Sequence, residues 1–393
     1  MFLIQPPTGR PARLRQAHKD FPMLAVFLSI LLCSLLLEWY GHSCHLIHTP
    51  DSFHYLAAAQ SFREYGQLLD SEGGPYAYWP PLFPAILSLF NDPVTALKWI
   101  HVISRILISI FIFFLAKKSI TDTGLKALFL AVAIGGVQFM MVSVFLWSEM
   151  IFMLLAFSTV YCAGKIENSK TYFVFLLLSG FLLCLQRNAG IFWMASVSLW
   201  LLLDNKTAWQ KKIRDSLICF IVSTSGFWVW NLYNSHFQFS GFSIYHPDYL
   251  SSLAFNLSVI LTALGKLFLP FSGTIGLIIS VSVLTTIGLL LKNYLLKNRR
   301  AQLIVVIVLG YCAGYLTLSA LDTNEMDRYI APVVPLFYWL VLVALDVLFL
   351  KMKRCFRAVI FILTIFWAAY PITRTIKNTF LWHKMSCEVS VAR

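Results

Sequence analysis

Residues 23–39 read MLAVFLSILLCSLLLEW, and a few positions later residues 48–62 read HTPDSFHYLAAAQSF. The first stretch has the length and apolarity of a membrane-spanning helix, which needs about 17 to 25 mostly apolar residues. The second places an aspartate and two histidines directly after it, at the head of a half-polar helix. Ionisable groups at membrane depth are costly and commonly functional, so Asp51 asks for a role.

Composition extends the membrane reading to the whole chain. Of 393 residues, 59% are hydrophobic and 12% charged, with 33 Phe and 12 Trp, whereas about a quarter of a soluble domain is charged. The expected fold is all-α and polytopic. The net charge of +13 does not imply a nucleic-acid partner, because most Lys and Arg sit in short clusters between apolar runs, as in cytoplasmic loops facing anionic lipid. Run 23–39 follows Arg10, Arg13, Arg15 and Lys19 with no small-residue cleavage site behind it, so it reads as a retained helix and not as a removed signal.

Further apolar runs near 99–116, 124–143, 147–164, 171–186, 190–203, 216–232, 272–291, 302–321, 330–350 and 357–373 bring the expected count to about eleven spans. Lys117 with Lys118, Lys165 with Lys170, the stretch 205–214 and the clusters 292–300 and 351–357 then fall on one side with the N-terminus, assigned to the cytoplasm. Outer loops 40–98 and 233–271 and a short outer tail 374–393 complete a single membrane-embedded domain over 1–393. Run 253–271 is withheld from the count because, as a full span, it would carry cluster 292–300 outside; it is expected to be an outer interfacial or re-entrant helix.

The eight cysteines include no CxxC pair, and Cys33, Cys162, Cys184, Cys219, Cys312 and Cys355 lie in or beside apolar runs, as small buried hydrophobes do. Cys44 and Cys387 fall in the two outer segments, where a bridge between them is one alternative. His42, His45, His48, Asp51 and His54 recur every third residue, a pattern that invites a metal site. Pro50 interrupts it, and three-residue spacing drifts around a helix of 3.6 residues per turn, so solvated or interfacial histidines are the plainer account.

With the basic loops explained, the informative residues are polar groups on the outer side. Asp51 follows Pro50 and is expected at the N-cap or in the first turn of a helix, with Tyr55 on the same face. Glu149 stands in LWSEM, Arg187 in LQRNAG, Asp248 in YHPDY, and Glu325, Asp327, Arg328 and Tyr329 in LDTNEMDRY. Arg187 and Arg328 run against the positive-inside bias. Either they form structural salt bridges with Glu149 or Asp327, or their guanidinium forks grip a lipid phosphate at headgroup depth.

The order PDSFHYLAAAQSFREYG (50–66), PPLFPAILSLF (80–90), SEMIFMLLAF (148–157), QRNAG (186–190) and DRYIAPVVP (327–335) resembles the membrane-embedded GT-C glycosyltransferases, among them the protein O-mannosyltransferase and aminoarabinose-transferase group, over roughly residues 20 to 350. The compactness of the chain favours a bacterial inner membrane over the endoplasmic reticulum, and the resemblance implies a helical bundle with its active site at the outer membrane surface. It implies a polyprenyl-phosphate-linked sugar as donor and an acidic residue of the first outer loop, here Asp51, as catalytic base or metal-side carboxylate. That group shows an Asp-Glu pair where this chain has Asp51-Ser52, and carries soluble outer domains where few residues follow the last span here, so recognition of a lipid, glycan or protein acceptor is expected from loops. Asp51 then activates an acceptor hydroxyl with inversion at the sugar. Arg187 and Arg328 hold the donor phosphate, and Tyr55, Glu149 and Tyr329 contact substrate. No cofactor is implied, a divalent metal being left open, and no nucleotide-binding loop is present. The rival reading is a transporter or lipid flippase, against which stand the lack of repeated halves and the gathering of polar residues on one face.

Overall fold

The computed structural model describes residues 10–77, 79–203, 208–236, 249–271, 273–318 and 321–388, without the side chains of 10–21 and 249–251. In chain order the helices are α1 (Arg10–Gly41), α2 (Pro50–Tyr65), α3 (Leu82–Leu87), α4 (Pro93–Ser119), α5 (Thr123–Gly135), α6 (Val137–Val144), α7 (Glu149–Ala163) and α8 (Lys170–Gln186). They continue as α9 (Gly190–Leu202), α10 (Trp209–Ser235), α11 (Tyr249–Gly265), α12 (Gly273–Lys297), α13 (Arg299–Leu316), α14 (Met326–Ile330), α15 (Val334–Phe349) and α16 (Arg354–Glu388). The protein is an all-α polytopic membrane protein.

Every apolar run of the sequence is helical, but the runs differ in length. Among the described residues, 7 helical segments are long and apolar enough to cross a membrane: Pro22–Gly41, Pro93–Ser119, Thr123–Val144 (α5 and α6 taken together), Trp209–Ser235, Gly273–Lys297, Arg299–Leu316 and Arg354–Glu388. The runs at 147–164, 171–186, 190–203 and 330–350 give the shorter helices α7, α8, α9 and α15. Shortness is tolerated where neighbouring helices, not lipid, surround the backbone ends. Helix α15 is the extreme case, buried from Val334 through Ala344 because it is apolar all round. Run 253–271 yields α11, whose Val259, Ile260, Ala263 and Leu264 are buried. At its end a Cβ on Gly265 would meet the backbone of Gly276 in α12, so the two helices approach as closely as glycine allows.

The run at 124–143 reads as one helix and is two. The chain breaks at Gly136, where a Cβ would collide with the Val132 carbonyl. A break inside a membrane frees carbonyls that must be satisfied by protein, and three other helices supply the donors. Ile134 O accepts from Ser34 Oγ and from Arg105 Nη1, each at 3.2 Å, and Gly135 O accepts from Thr375 Oγ1 at 2.8 Å. Arg105 also donates to Phe139 O at 2.9 Å and Ser143 Oγ at 2.8 Å. Its charge is met by Glu38 at 2.5 Å, both side chains being buried.

Helix α16 runs on through residues 374–388, and Cys387 is joined to Cys44 by a disulfide, Cα–Cα 5.2 Å. The bond fastens the far end of the last helix to the segment that follows α1. Cys387→Ser is expected to lower thermal stability by about 2 to 4 kcal/mol. It should also remove the mobility difference between reduced and unreduced protein on a denaturing gel; an unreduced parent that migrates like this variant would show that the bond does not form.

Candidate functional site

The site grows from a short zipper between two loops. Residue 47 pairs with the strip between α6 and α7: Ile47 N–H donates to Val144 O at 3.1 Å and Leu146 N–H to Ile47 O at 2.9 Å. This sets the start of α2 against residues 145–149. Thr49, not Asp51, is the N-cap of α2, forming a capping box with Ser52. Thr49 N–H donates to Ser52 Oγ at 2.9 Å, Ser52 Oγ donates to Leu146 O at 3.0 Å, and Trp147 Nε1 donates to Thr49 Oγ1 at 2.9 Å. Pro50 takes the first helical position, where its missing donor costs nothing. Asp51 therefore sits in the first turn with its carboxylate released from capping.

That carboxylate faces Arg328: Oδ2 lies 2.9 Å from Nη2. The other oxygen, Oδ1, accepts no hydrogen bond among the described residues, and the side chain keeps 23% exposure. The remaining nitrogens of Arg328 are engaged as well, Nε by Glu149 Oε1 and Nη1 by Glu325 Oε2 at 3.1 Å. Its guanidinium carbon lies 4.2 Å from the centre of the Trp147 ring, a stacking that fixes the plane of the fork.

Glu149 is 2% exposed and shared. Its Oε1 meets Arg328 Nε and also Arg187 Nη1, while Arg187 Nη1 reaches Ser148 Oγ at 3.0 Å. The carboxylate heads α7, where the helix dipole favours negative charge. Gln186 Nε2 braces the same corner by donating to Ser148 O at 3.0 Å. Burial is the strongest single influence and works to lower the guanidinium pKa of both arginines, but Glu149 and the other acidic groups around them, Tyr55 included, together outweigh it and both are held above the ordinary arginine range. Arg187 uses only Nη1 on protein; its Nε and Nη2 have no protein partner among the described residues.

Tyr55 stands one turn beyond Asp51 on the same face, its ring 5.1 Å from Trp79 and 4.8 Å from Phe83. Burial pushes its phenol up to about 12, with Arg187 acting in the opposite sense. Tyr329, half-buried, stacks on Tyr315 at 5.5 Å. Within this region Tyr55 Oη, Glu149 Oε2, Asn188 Oδ1 and Arg328 Nη2 are buried without a hydrogen-bond partner among the described residues, the last of them meeting Asp51 as an ion pair only. Buried polar atoms are usually satisfied, which makes these atoms candidates for contact with a bound ligand.

Asp51, Glu149, Arg187 and Arg328 thus come together from four distant segments, with Tyr55 beside them. Asp327 belongs elsewhere: it accepts from Gln138 at 2.7 Å and pairs with Arg374 at 2.5 Å, tying α6 and α16. Glu64 is tied to Gln60 at 2.9 Å on the exposed end of α2, and Asp248 lies outside the described residues. The three-residue histidine pattern is dispersed, His42 buried near Trp39, His48 against Phe53 and His54 against Trp79. No three His, Cys, Asp or Glu side chains among the described residues are placed to hold a metal ion. Asp51, Glu149 and Glu325 converge on the Arg328 guanidinium, which takes the position between them that a metal ion would need. Trp147, Ser148 and Thr49 are the members with no charge to betray them; adjacency to Glu149 and Asp51 was the only sign in the sequence.

No family model and no curated protein matches the sequence. Solved structures do match. ArnT from Cupriavidus metallidurans bound to undecaprenyl phosphate superposes with a TM-score of 0.59 at 12% identity, over 93% of this chain and 76% of that one. Its apo form gives 0.56 at 13% identity, over 84% and 60%. The archaeal oligosaccharyltransferase AglB from Archaeoglobus fulgidus, in complex with an inhibitory peptide and a dolichol-phosphate, gives 0.54 at 13% identity, covering 90% of this chain and 56% of AglB. These superpositions show that the chain shares its fold with ArnT and AglB, the fold of the GT-C membrane glycosyltransferases.

Proposed function

We propose that the protein is a glycosyltransferase that moves a sugar from a polyprenyl-phosphate carrier to an acceptor hydroxyl, at the outer face of a cell inner membrane and with inversion at the anomeric carbon. The observation that carries the reading is the posture of Asp51, anchored through Oδ2 by Arg328 and open at Oδ1. A base held by one oxygen keeps its aim while the other takes a proton. Asp51 accepts the proton of the acceptor hydroxyl, the acceptor oxygen bonds to the anomeric carbon, and the bond from that carbon to the phosphate oxygen breaks. Polyprenyl phosphate leaves with the electron pair. Arg187 meets the charge that develops, since its Nε and Nη2 are unclaimed by protein. Arg328 adds its field while fixing Asp51, and Tyr55, Glu149 and Tyr329 line the reacting groups. The likeness to proteins solved with undecaprenyl phosphate and dolichol-phosphate supports the same class of carrier here.

Incubating the purified protein with a radiolabelled polyprenyl-phosphate sugar and a membrane extract tests the reading, because a transferase releases free polyprenyl phosphate and a transporter or flippase does not. Arg187→Ala is expected to slow transfer about 10-fold to 100-fold, the loss of one charge-assisted contact of about 1.5 to 3 kcal/mol. Arg187→Lys should regain only part, keeping the charge without the planar fork. Unchanged turnover in the folded alanine variant would remove Arg187 from the phosphate site.

A further inference from the structure

Helix α7 starts at the charged corner and ends at Ala163, about 22 Å away at 1.5 Å per residue. Around that far end α4, α7, α8 and α13 leave a cleft of about 530 Å³. Its walls are apolar, with Leu107, Phe111 and Phe114 from α4, Leu154 and Phe157 from α7, and Phe175 from α8. Phe114 and Phe175 are more than half exposed, so the cleft opens sideways to lipid. At its mouth stand three cations from three separate segments, Lys118, Lys165 and Arg300. None of them makes an ion pair among the described residues, and Glu167, the nearby acid of the same loop, is engaged by Arg299.

The positive-inside bias accounts for basic residues at this end of the bundle. It does not account for three of them converging without a carboxylate on the rim of an apolar cleft. Like charges gathered this way call for an anion, and the greasy floor beneath them calls for a chain attached to it. A volume within the range of about 300 to 1,000 Å³ typical of small-ligand sites gives room for one acyl chain. We infer that the cleft binds an anionic glycerophospholipid, its headgroup phosphate on Lys118, Lys165 and Arg300 and one acyl chain between α4, α7 and α8. Basic pockets between helices at the headgroup level are suited to this ligand. The site is separate from the Asp51 corner and does not depend on the transferase reading.

Native mass spectrometry of the full-length protein, delipidated in detergent and titrated with phosphatidylglycerol or with phosphatidylcholine of the same chains, tests it. At about 1 kcal/mol per basic residue, three cations should favour phosphatidylglycerol about 100-fold. Lys118→Gln/Arg300→Gln should remove most of that preference. These lysine and arginine positions also guide insertion, so a second variant leaves every charge in place: Ser158→Trp fills the cleft floor from α7 and should expel the lipid. Equal retention of the two lipids overturns the proposal. So does a phosphatidylglycerol preference that survives Ser158→Trp, which would place the lipid elsewhere. Displacement of phosphatidylglycerol by equimolar undecaprenyl phosphate would assign the cleft to a polyprenyl carrier and overturn the phospholipid identity.

Discussion

Asp51→Asn is expected to yield a folded protein whose transfer rate is about 100-fold to 10,000-fold below that of the parent, the usual weight of general acid–base catalysis. The start of α2 does not depend on this side chain, because Thr49 caps the helix and Ser52 closes the box. Asparagine matches aspartate in volume and keeps an oxygen near Arg328, which retains Glu149 and Glu325 as counter-charges. What the amide cannot do is accept the acceptor's proton. A partly exposed ion pair contributes about 1 kcal/mol or less, so the melting temperature should move little. Release of free polyprenyl phosphate and thermal unfolding, followed on the same preparation, separate the two effects. Turnover near that of the parent would take Asp51 out of the chemistry and leave it as a counter-ion of Arg328.

Glu149→Ala should act on the fold itself. One carboxylate oxygen holds two guanidinium groups, and both arginines are largely covered, at 13% exposure for Arg187 and 6% for Arg328. Removing the acid leaves like charges facing each other in a medium that screens them poorly, for which a cost of about 3 to 5 kcal/mol is typical. Arg328 would lean on Asp51 and Glu325 alone, and transfer should fall with stability. The double variant Glu149→Ala/Arg187→Ala should be more stable than Glu149→Ala, since one of the stranded charges is gone. Equal melting temperatures for Glu149→Ala and the parent would show that the shared carboxylate does not organise the corner.

The helices were legible because apolarity over about 20 residues has few alternatives in a chain this poor in charge. Asp51, Glu149, Arg187 and Arg328 were legible for a related reason: each is an ionisable residue beside an apolar run, where it needs a partner. Which partner each has was not. The salt-bridge alternative offered Glu149 or Asp327 equally, and only the packing shows that Glu149 takes both arginines while Asp327 goes to Gln138 and Arg374. The break at Gly136 was overlooked although the Gly135-Gly136 pair is a breaker signal in the sequence; what could not be read is that the freed carbonyls are satisfied by Ser34, Arg105 and Thr375, far away in sequence. The bounds were close for α7 and α9, whose runs 147–164 and 190–203 give Glu149–Ala163 and Gly190–Leu202, each starting where LWSEM or LQRNAG turns the chain into the corner. The capping role of Thr49 was silent, since Asp51 is as good a cap by composition.

The bond between Cys44 and Cys387 has a bearing on how the protein is made. Its two sulfurs are 343 residues apart in the chain, so the first to be synthesised waits while all the helices between it and its partner are made. The closed bond is then a certificate that α16 has been inserted: a chain truncated before that helix, or threaded the wrong way round at it, cannot acquire it. Compartments that oxidise thiols lie on the far side of the membrane from the ribosome, which makes the state of this one cysteine pair a biochemical record of both topology and biogenesis.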